Sequence, residues 1–272
     1  MTPTVFGILN ITEDSFSDGG RHLDPEAAIA EARRLVADGA DVIDLGAAAS
    51  NIAAKPVPPD EEIRRLAPAI AVLQRDGIAV SVDSFAPETQ RFAVRTGVDF
   101  LNDIEGFADP AFYPELAAAR CRLVVMHAVQ GRGRARRLPV PATDIWSRIE
   151  AFFATRIAAL TAAGVTQDRL ILDPGMGFFL SSEAEASLIV LAGLERLKRA
   201  FDLPVLVSVS RKSFLAAVTG RQSPDMRGPA TLAAELYAAA NGADYIRTHD
   251  PGALRDGLLV TSALRRGAGA TG

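Results

Sequence analysis

Acidic, amide and cationic side chains follow short apolar runs at eight points along the chain. The set comprises Asn10, Asp44, Asp83 with Ser84, Asn102 with Asp103, His127, Asp173, Arg211 with Lys212, and Arg247 with His249. Any one such residue is accounted for by the water that surrounds the end of a strand. Together, however, carboxylates, amides and cations around one opening could hold a ligand that has several hydrogen-bond donors and acceptors.

Two of these points favour binding of a heterocycle with an acidic group. Asp173 precedes Pro174 and Gly175 in a tight turn after an apolar run, so its carboxylate is expected to be partly desolvated and to need a cationic or guanidine-like partner. Lys212 opens a predicted helix, where its ammonium could hold a ring carbonyl or nitrogen. The backbone N–H groups of that helix, with the Ser213 hydroxyl, could bind a carboxylate or phosphate.

The two ends of the chain carry groups suited to a diphosphate. Arg247 and His249 are two residues apart on a predicted strand, so their side chains share a face, and paired cations there favour a diphosphate. Asn10 is an oxygen ligand of the kind that Mg²⁺ shares with a diphosphate. The polar, glycine-ended loop from Asn10 to Gly20 is typical of a mobile lid over a site, and a solvated surface loop is the alternative.

Short β-branched runs alternate with helical patterns throughout the chain, which indicates a parallel sheet covered by helices. The predicted strands are Val5 to Leu9, Val42 to Leu45, Ile78 to Val82, Phe100 to Asn102, Leu123 to Met126, Leu170 to Leu172, Val205 to Val209 and Tyr245 to Arg247. Eight such units in 272 residues favour a (β/α)8 TIM barrel over an open sheet, with one domain spanning residues 1–272. In such barrels the βα loops carry the chemistry.

Composition excludes several classes of protein. Apolar residues make up 49% of the chain, but they never form an uninterrupted run long enough for a membrane span, and the start lacks the pattern of a secretory signal. The net charge of −4 argues against a nucleic-acid surface, and a lone Cys121 allows no internal disulfide. No cluster of Cys and His has zinc spacing. We therefore expect a cytoplasmic enzyme that binds small molecules.

Several segments, in order and over nearly the whole chain, resemble dihydropteroate synthase. They are Gly7-Ile8-Leu9-Asn10-Ile11-Thr12 with Asp14-Ser15-Phe16-Ser17-Asp18-Gly19-Gly20, Val82-Asp83-Ser84, Asn102-Asp103-Ile104, Met126-His127, Asp173-Pro174-Gly175-Met176-Gly177-Phe178, Ser210-Arg211-Lys212-Ser213-Phe214 and Arg247-Thr248-His249-Asp250. The resemblance implies a TIM barrel, commonly dimeric, that condenses 6-hydroxymethyl-7,8-dihydropterin diphosphate with 4-aminobenzoate and uses Mg²⁺.

The same resemblance implies a role for individual residues. The pterin would be held by Asp83, Asn102, Asp173 and Lys212, and the diphosphate by Arg247 and His249. Asn10 would meet Mg²⁺, and Ser213 would receive the benzoate carboxylate. Ser50 and Phe178 also belong to the predicted substrate site.

Three departures from the family pattern cluster on the arylamine side. Asn51 stands where the family has Arg, Phe179-Leu180 replaces Gly-Lys, and Glu13 replaces Pro. Loss of a charged hydrogen bond of the Arg kind is worth about 1.5–3 kcal/mol. The chain is similar to the sulfonamide-insensitive branch of the family, and we expect loops that accept 4-aminobenzoate but exclude the bulkier drug. Loop drift without functional effect is the alternative.

Two other functions fit the same barrel. A pterin-dependent methyltransferase would keep the pterin-binding Asp and Asn but has no need of a diphosphate site, so Lys212, Ser213 and the segment from Arg247 to His249 count against it. A non-catalytic pterin-binding protein would have lost turnover with the Arg. Measured turnover separates the three.

Overall fold

The computed structural model describes residues 2–12, 24–48, 52 and 55–269. Residues 13–20 of the predicted lid lie outside this part, and so do Ser50 and Asn51, which stands at the family's Arg position. All eight predicted strands are present. They are β1 (Thr4–Asn10), β2 (Val42–Gly46), β3 (Ala79–Asp83), β4 (Phe100–Asp103), β5 (Arg122–Met126), β6 (Leu170–Asp173), β7 (Leu206–Val207) and β8 (Tyr245–Thr248).

The strands form one parallel sheet in the order β6-β5-β4-β3-β2-β1-β8-β7. Its two ends meet through a parallel bridge between Leu172 and Val205, and the Leu172 N–H donates to the Pro204 carbonyl at 2.9 Å. This contact closes the sheet, which confirms the predicted (β/α)8 barrel. The predicted strand from Val205 to Val209 is regular only over two residues, because that edge is held by this bridge rather than by a full ladder.

Helices cover the outside of the barrel. Those in the described part are α1 (Pro25–Ala37), α2 (Pro59–Arg75), α3 (Pro87–Thr96), α4 (Tyr113–Ala118), α5 (Ile145–Ala162), α6 (Ala184–Ala192), α7 (Leu194–Phe201), α8 (Ser213–Thr219), α9 (Gly228–Ala240) and α10 (Pro251–Gly269). Gly97 follows α3 with φ 73°, a left-handed conformation that ends a helix at low steric cost. None of the described helices is long and apolar enough to cross a membrane.

Two apolar regions support the fold. The larger one lies between the sheet and the helices. The smaller one fills the lower barrel with inward side chains from six strands, namely Phe6, Val42, Val124, Ile171, Leu206 and Tyr245. Phe6 packs edge-on against Phe100 with ring centroids 4.9 Å apart. We call these six side chains the plug; they fill the barrel near the amino-terminal ends of the strands. Polar side chains two and four residues further along the strands therefore occupy the lumen near the carboxyl ends.

Candidate active site

Strand geometry decides which polar side chains enter the lumen. Side chains alternate between the two faces of a strand, so residues two or four positions after a plug residue point inward. Counted from the plug residues, and from Ala79 and Phe100 that pack against them, the polar residues in these positions are Asn10, Asp44, Asp83, Asn102, Asp173 and Arg247. The strand register places Asp83 beside Asn102 and Met126 beside Asp173, so the carboxylates end on one rim.

Arg247 lies at the centre of this group. Its Nε donates to Oδ2 of Asp44, and its Nη2 donates to Oδ2 of Asp83 at 2.7 Å. Burial opposes the charge of Arg247, but the two carboxylates outweigh burial and raise its pKa. Burial raises the pKa of Asp83 to about 7, with Arg247 opposing and Asp44 reinforcing that shift. Burial thus makes the Asp83 carboxyl harder to ionise than an exposed aspartate.

Asp173 and Lys212 form the second charged pair. Burial raises the pKa of Asp173 to about 6 against the opposing charge of Lys212. Burial lowers the pKa of Lys212 to about 8, and the charge of Asp173 counteracts the shift. Arg247 acts electrostatically on both groups, so the three side chains converge in one desolvated space. Asp173, Lys212 and Arg247 therefore lie close enough to one another to interact electrostatically, as expected from their positions at strand ends.

The turn after β6 holds Asp173 and Lys212 in place. Asp173 Oδ1 accepts the Gly175 N–H at 2.8 Å, and Lys212 Nζ donates to the Met176 carbonyl at 3.2 Å. Lys212 Nζ also lies 5.2 Å from the centroid of the Phe179 ring, a cation–π contact. Asp173 keeps its second oxygen and Lys212 keeps further N–H donors for a ligand.

His249 differs from the predicted second cation. Its Nδ1 lies 2.8 Å from Ser210 Oγ, and its backbone N–H donates to the same oxygen at 3.2 Å. Burial lowers the pKa of His249 to about 3, and the cations Arg211, Arg247 and Lys212 add to the effect. The imidazole is neutral at pH 7. It can contact an anion as a hydrogen-bond donor, whereas the prediction of a charged pair with Arg247 is wrong for the free protein.

An arginine that sequence reasoning missed holds the loop before Lys212. Arg227 donates through Nη1 to the Arg211 carbonyl at 2.7 Å and through Nε to the Arg221 carbonyl at 3.0 Å. Arg211 has φ 58°, and its N–H donates to Thr231 Oγ1 at 3.0 Å. These bonds support a strained turn directly before the site lysine. Nothing local in the sequence distinguishes Arg227 from a surface arginine.

Three members of the predicted polar ring serve the framework instead. Asp103 accepts the N–H groups of Glu105 and Phe107, each at 2.8 Å. Ser84 donates to Glu62 at 2.7 Å. His127 is 3% exposed, and its Nδ1 lies 3.1 Å from the Pro174 carbonyl. Asp103 follows the inward-facing Asn102 on β4, so its side chain points away from the lumen, and Ser84 and His127 come directly after the last residues of β3 and β5.

Asn102 and Asn10 remain available to a ligand. Asn102 is buried, and its Oδ1 has no hydrogen-bond partner within the described residues. A buried amide oxygen without a partner is costly, which is typical of a site that a ligand completes. Asn10 lies opposite Gly46, and a side chain on that glycine would start 3.4 Å from Asn10 Oδ1. The missing side chain leaves room at the Asn10 amide.

Ser213 and Phe178 border the site from the β6 and β7 loops. Ser213 is the first residue of α8, and its Oγ lies 4.0 Å from the position that a Cβ on Gly177 would take. Phe178 is partly buried and lies under Arg137, whose guanidinium carbon is 5.4 Å from the ring centroid. Gly177 thus lies beside both Lys212 and Ser213, while the arylamine roles of Ser213 and Phe178 stay predictions.

Comparisons with known proteins agree with this geometry. A family model described as a pterin binding enzyme matches residues 6–249. The chain is 61% identical over 264 residues to dihydropteroate synthase type-2 of Escherichia coli, covering 97% of each protein. It is 54% identical to dihydropteroate synthase type-1 of the same organism, covering 97% of this chain and 94% of the relative.

Solved structures give the same answer. Dihydropteroate synthase of Xanthomonas albilineans with 4-aminobenzoic acid is similar with a TM-score of 0.87 at 38% identity, covering 97% of this chain and 93% of that one. The Xanthomonas albilineans enzyme in complex with 7,8-dihydropteroate is similar with a TM-score of 0.83 at 37% identity, covering 97% and 94%. Sequence and structure therefore identify this chain as a member of the dihydropteroate synthase family of pterin-binding enzymes.

Proposed function

We propose that the chain joins 6-hydroxymethyl-7,8-dihydropterin diphosphate to 4-aminobenzoate, giving 7,8-dihydropteroate and diphosphate. The observation that carries the proposal is the desolvated group of Asp83, Asp173, Lys212 and Arg247 at one end of the barrel. Such a group offers carboxylates for an aminopyrimidinone edge and cations for a ring carbonyl and a leaving diphosphate.

The pterin is assigned to the carboxylate side of the site. Asp173 would accept from the aminopyrimidinone N–H groups, and Lys212 would donate to the ring carbonyl and nitrogen. Asn102 would contribute its amide, whose buried Oδ1 needs a partner, and Asp83 would accept from the remaining ring N–H. Each contact uses a charged or buried polar group, so an analogue that lacks the matching group would bind much more weakly.

The diphosphate is assigned to Arg247 and His249, with Mg²⁺ held by Asn10. In the described part of the chain no three His, Cys, Asp or Glu side chains form a metal cluster. One amide oxygen beside the open space at Gly46 suits Mg²⁺, which keeps several waters and is commonly held by few protein ligands together with substrate phosphates. When bound there, Mg²⁺ would neutralise part of the negative charge on the diphosphate.

The reaction exchanges one bond for another at the pterin methylene carbon. The carbon–oxygen bond breaks, and its electron pair leaves with the diphosphate. The arylamine nitrogen then forms the carbon–nitrogen bond and releases a proton. Arg247 would stabilise the charge that grows on the leaving oxygen, so its contact strengthens in the transition state and accelerates the step.

The arylamine is assigned to the side of the site where Ser213 lies; the resemblance adds Phe178 and Ser50, and Ser50 lies outside the described residues. Ser213 at the start of α8 would receive the benzoate carboxylate. The proposal includes reduced sensitivity to sulfonamides, because the chain departs from the family pattern at positions that the resemblance assigns to the arylamine, while the pterin residues are intact. A homodimer in the cytoplasm is also proposed, and exposed Leu259 and Leu264 on α10 with Tyr237 on α9 support an interface between two copies.

A coupled assay of diphosphate release tests the proposal. Release is expected only when pterin diphosphate and 4-aminobenzoate are both present, together with Mg²⁺. Product made from methyltetrahydrofolate and a corrinoid protein would instead identify a methyltransferase. Pterin binding by calorimetry without diphosphate release would identify a non-catalytic binding protein.

A further inference from the structure

Asp44 lies below the rim of the site and contacts its central cation. It is the middle residue of β2 and has no exposed surface. Its Oδ2 accepts from Arg247 Nε, and its Oδ1 has no hydrogen-bond partner among the described residues. Its neighbours in the ladder are Ile8 and Ser81, neither of which carries charge.

Stability alone does not explain a carboxylate at this position. Desolvation of both charges offsets much of the attraction in a buried ion pair, and well-packed apolar residues often serve a core equally well. Asp44 also adds negative charge beside Asp83 and so makes ionisation of Asp83 harder. Because the buried Asp44 carboxylate brings these energetic costs, we expect it to have a role in substrate binding or catalysis.

The two hydrogen bonds of Arg247 fix its orientation. A guanidinium is a planar fork on a long flexible stem. Nε is bound to Asp44 from below, and Nη2 is bound to Asp83 at 2.7 Å on the rim. Bonds from two different nitrogens to two different strands prevent rotation of the plane. Nη1 makes no hydrogen bond within the described part of the chain, so it is free for a substrate.

We propose that Asp44 is a positioning residue, which holds the Arg247 guanidinium at the centre of the mouth with Nη1 directed to the diphosphate of the substrate. The inference rests on the proposed function, since it concerns the cation assigned to the leaving group. Asp44 itself touches no substrate. Its effect passes through Arg247.

The test compares two Asp-to-Asn variants on the same strand segment. Asp44→Asn keeps the shape and removes the charge. Asp41→Asn is the matched control, since Asp41 also pairs with an arginine, Arg255, and accepts the Val5 N–H at 2.7 Å, but lies directly before the start of β2, away from the rim. Asp44→Asn is expected to lower kcat/KM for pterin diphosphate by about tenfold or more and to raise the inhibition constant of diphosphate similarly. Its KM for 4-aminobenzoate should stay within about twofold. Asp41→Asn should change thermal stability and leave all three constants unchanged.

A double-mutant cycle shows whether Asp44 acts through Arg247. In the background of Arg247→Gln, adding Asp44→Asn should change kcat/KM by less than about twofold, because the group to be positioned is gone. A further tenfold loss in that background would overturn the inference, and so would wild-type diphosphate inhibition in Asp44→Asn. Should the single variant not fold, the comparison of the double variant with Arg247→Gln decides the question. Absence of turnover in the wild-type protein would instead reject the proposed function.

Discussion

Arg247 on β8 donates to Asp83 on β3 at 2.7 Å, although β1 and β2 lie between these strands in the sheet. The bond therefore crosses the lumen rather than following the sheet. This hydrogen bond links Arg247, which is assigned to the diphosphate, to Asp83, which is assigned to the pterin. The two parts of the substrate would therefore contact residues that are bonded to each other. A change in the charge of either residue is expected to be felt by the other.

The pH dependence of kcat/KM for pterin diphosphate should be bell-shaped. Asp173 has a pKa of about 6 and Asp83 of about 7, so activity should rise through this range as the carboxylates ionise and can accept from the pterin. Lys212 has a pKa of about 8, so activity should fall above it as the ammonium is lost. Initial rates between about pH 5 and 10 measure both limbs.

A variant isolates the basic limb. Lys212→Arg should be less active but should keep its charge at high pH, so its activity should no longer fall near pH 8. A basic limb that is unchanged in Lys212→Arg would show that another group titrates there.

Removal of the site lysine should impair turnover. Lys212→Ala is expected to lower kcat at least about tenfold, because a loss of about 1.4 kcal/mol of transition-state stabilisation suffices for that. Lys198→Ala provides the control, since Lys198 pairs with Asp244 at 2.7 Å before β8 starts, away from the mouth. Steady-state kinetics of both variants check the assignment, and wild-type kinetics in Lys212→Ala would contradict it.

Gly175 should not tolerate a side chain. It has φ 74°, and a Cβ there would lie 2.4 Å from the His127 carbonyl oxygen. Gly175→Ala should lower the free energy of unfolding by more than the about 1–2 kcal/mol that a left-handed conformation costs. It should also raise KM for the pterin substrate, because Asp173 accepts the Gly175 N–H.

Gly97→Ala separates the clash from the backbone strain. Gly97 has φ 73° but nothing within 4 Å of its added Cβ, so the variant carries the strain without the contact. Urea unfolding should show a smaller loss for Gly97→Ala, with unchanged kinetics. If both variants lose the same free energy of unfolding, the turn at Gly175 must relax and remove the contact with the His127 carbonyl without further loss of stability.

Glu235 should make the protein less stable as pH rises. Burial raises its pKa from 4.5 to about 8 in the folded protein. Between these values the unfolded chain has lost a proton that the folded protein keeps, so the free energy of unfolding falls by up to about 1.4 kcal/mol per pH unit. Glu235→Gln cannot ionise and should show a weaker decline. Urea unfolding at about pH 5.5 and 7.5 measures the slopes, and exposed Glu195→Gln should retain the wild-type slope.

Sulfonamide sensitivity should be low relative to substrate affinity. The ratio of the sulfamethoxazole inhibition constant to the KM for 4-aminobenzoate is expected to exceed that of a sulfonamide-sensitive enzyme by about tenfold or more, since discrimination requires a difference in affinity. Steady-state inhibition in the diphosphate-release assay measures both constants. A ratio equal to that of the sensitive enzyme would show that the changes at Asn51 and Phe179 are loop drift.

The sequence by itself determined the eight strands and their alternation with helices, because both follow from the short-range period of the apolar side chains. It also predicted that Asp173, Lys212 and Arg247 meet, because parallel strands carry their loops to one end of a barrel. The ligand roles assigned to the individual site residues, among them Asn10, Ser213 and Phe178, stay predictions.

Only the tertiary structure decided which polar groups face the lumen and which partners they take. Asp103 and His127 bond to the surrounding backbone although, like Asn102 and Asp173, they lie at the carboxyl ends of strands. Adjacent residues of a strand point to opposite faces, so a difference of one position decides whether a side chain enters the lumen. Arg247 and Asp44 are 203 residues apart in the chain, and closure of the barrel brings them together. Such pairs depend on strand register and on the desolvation that packing creates, neither of which a local pattern contains.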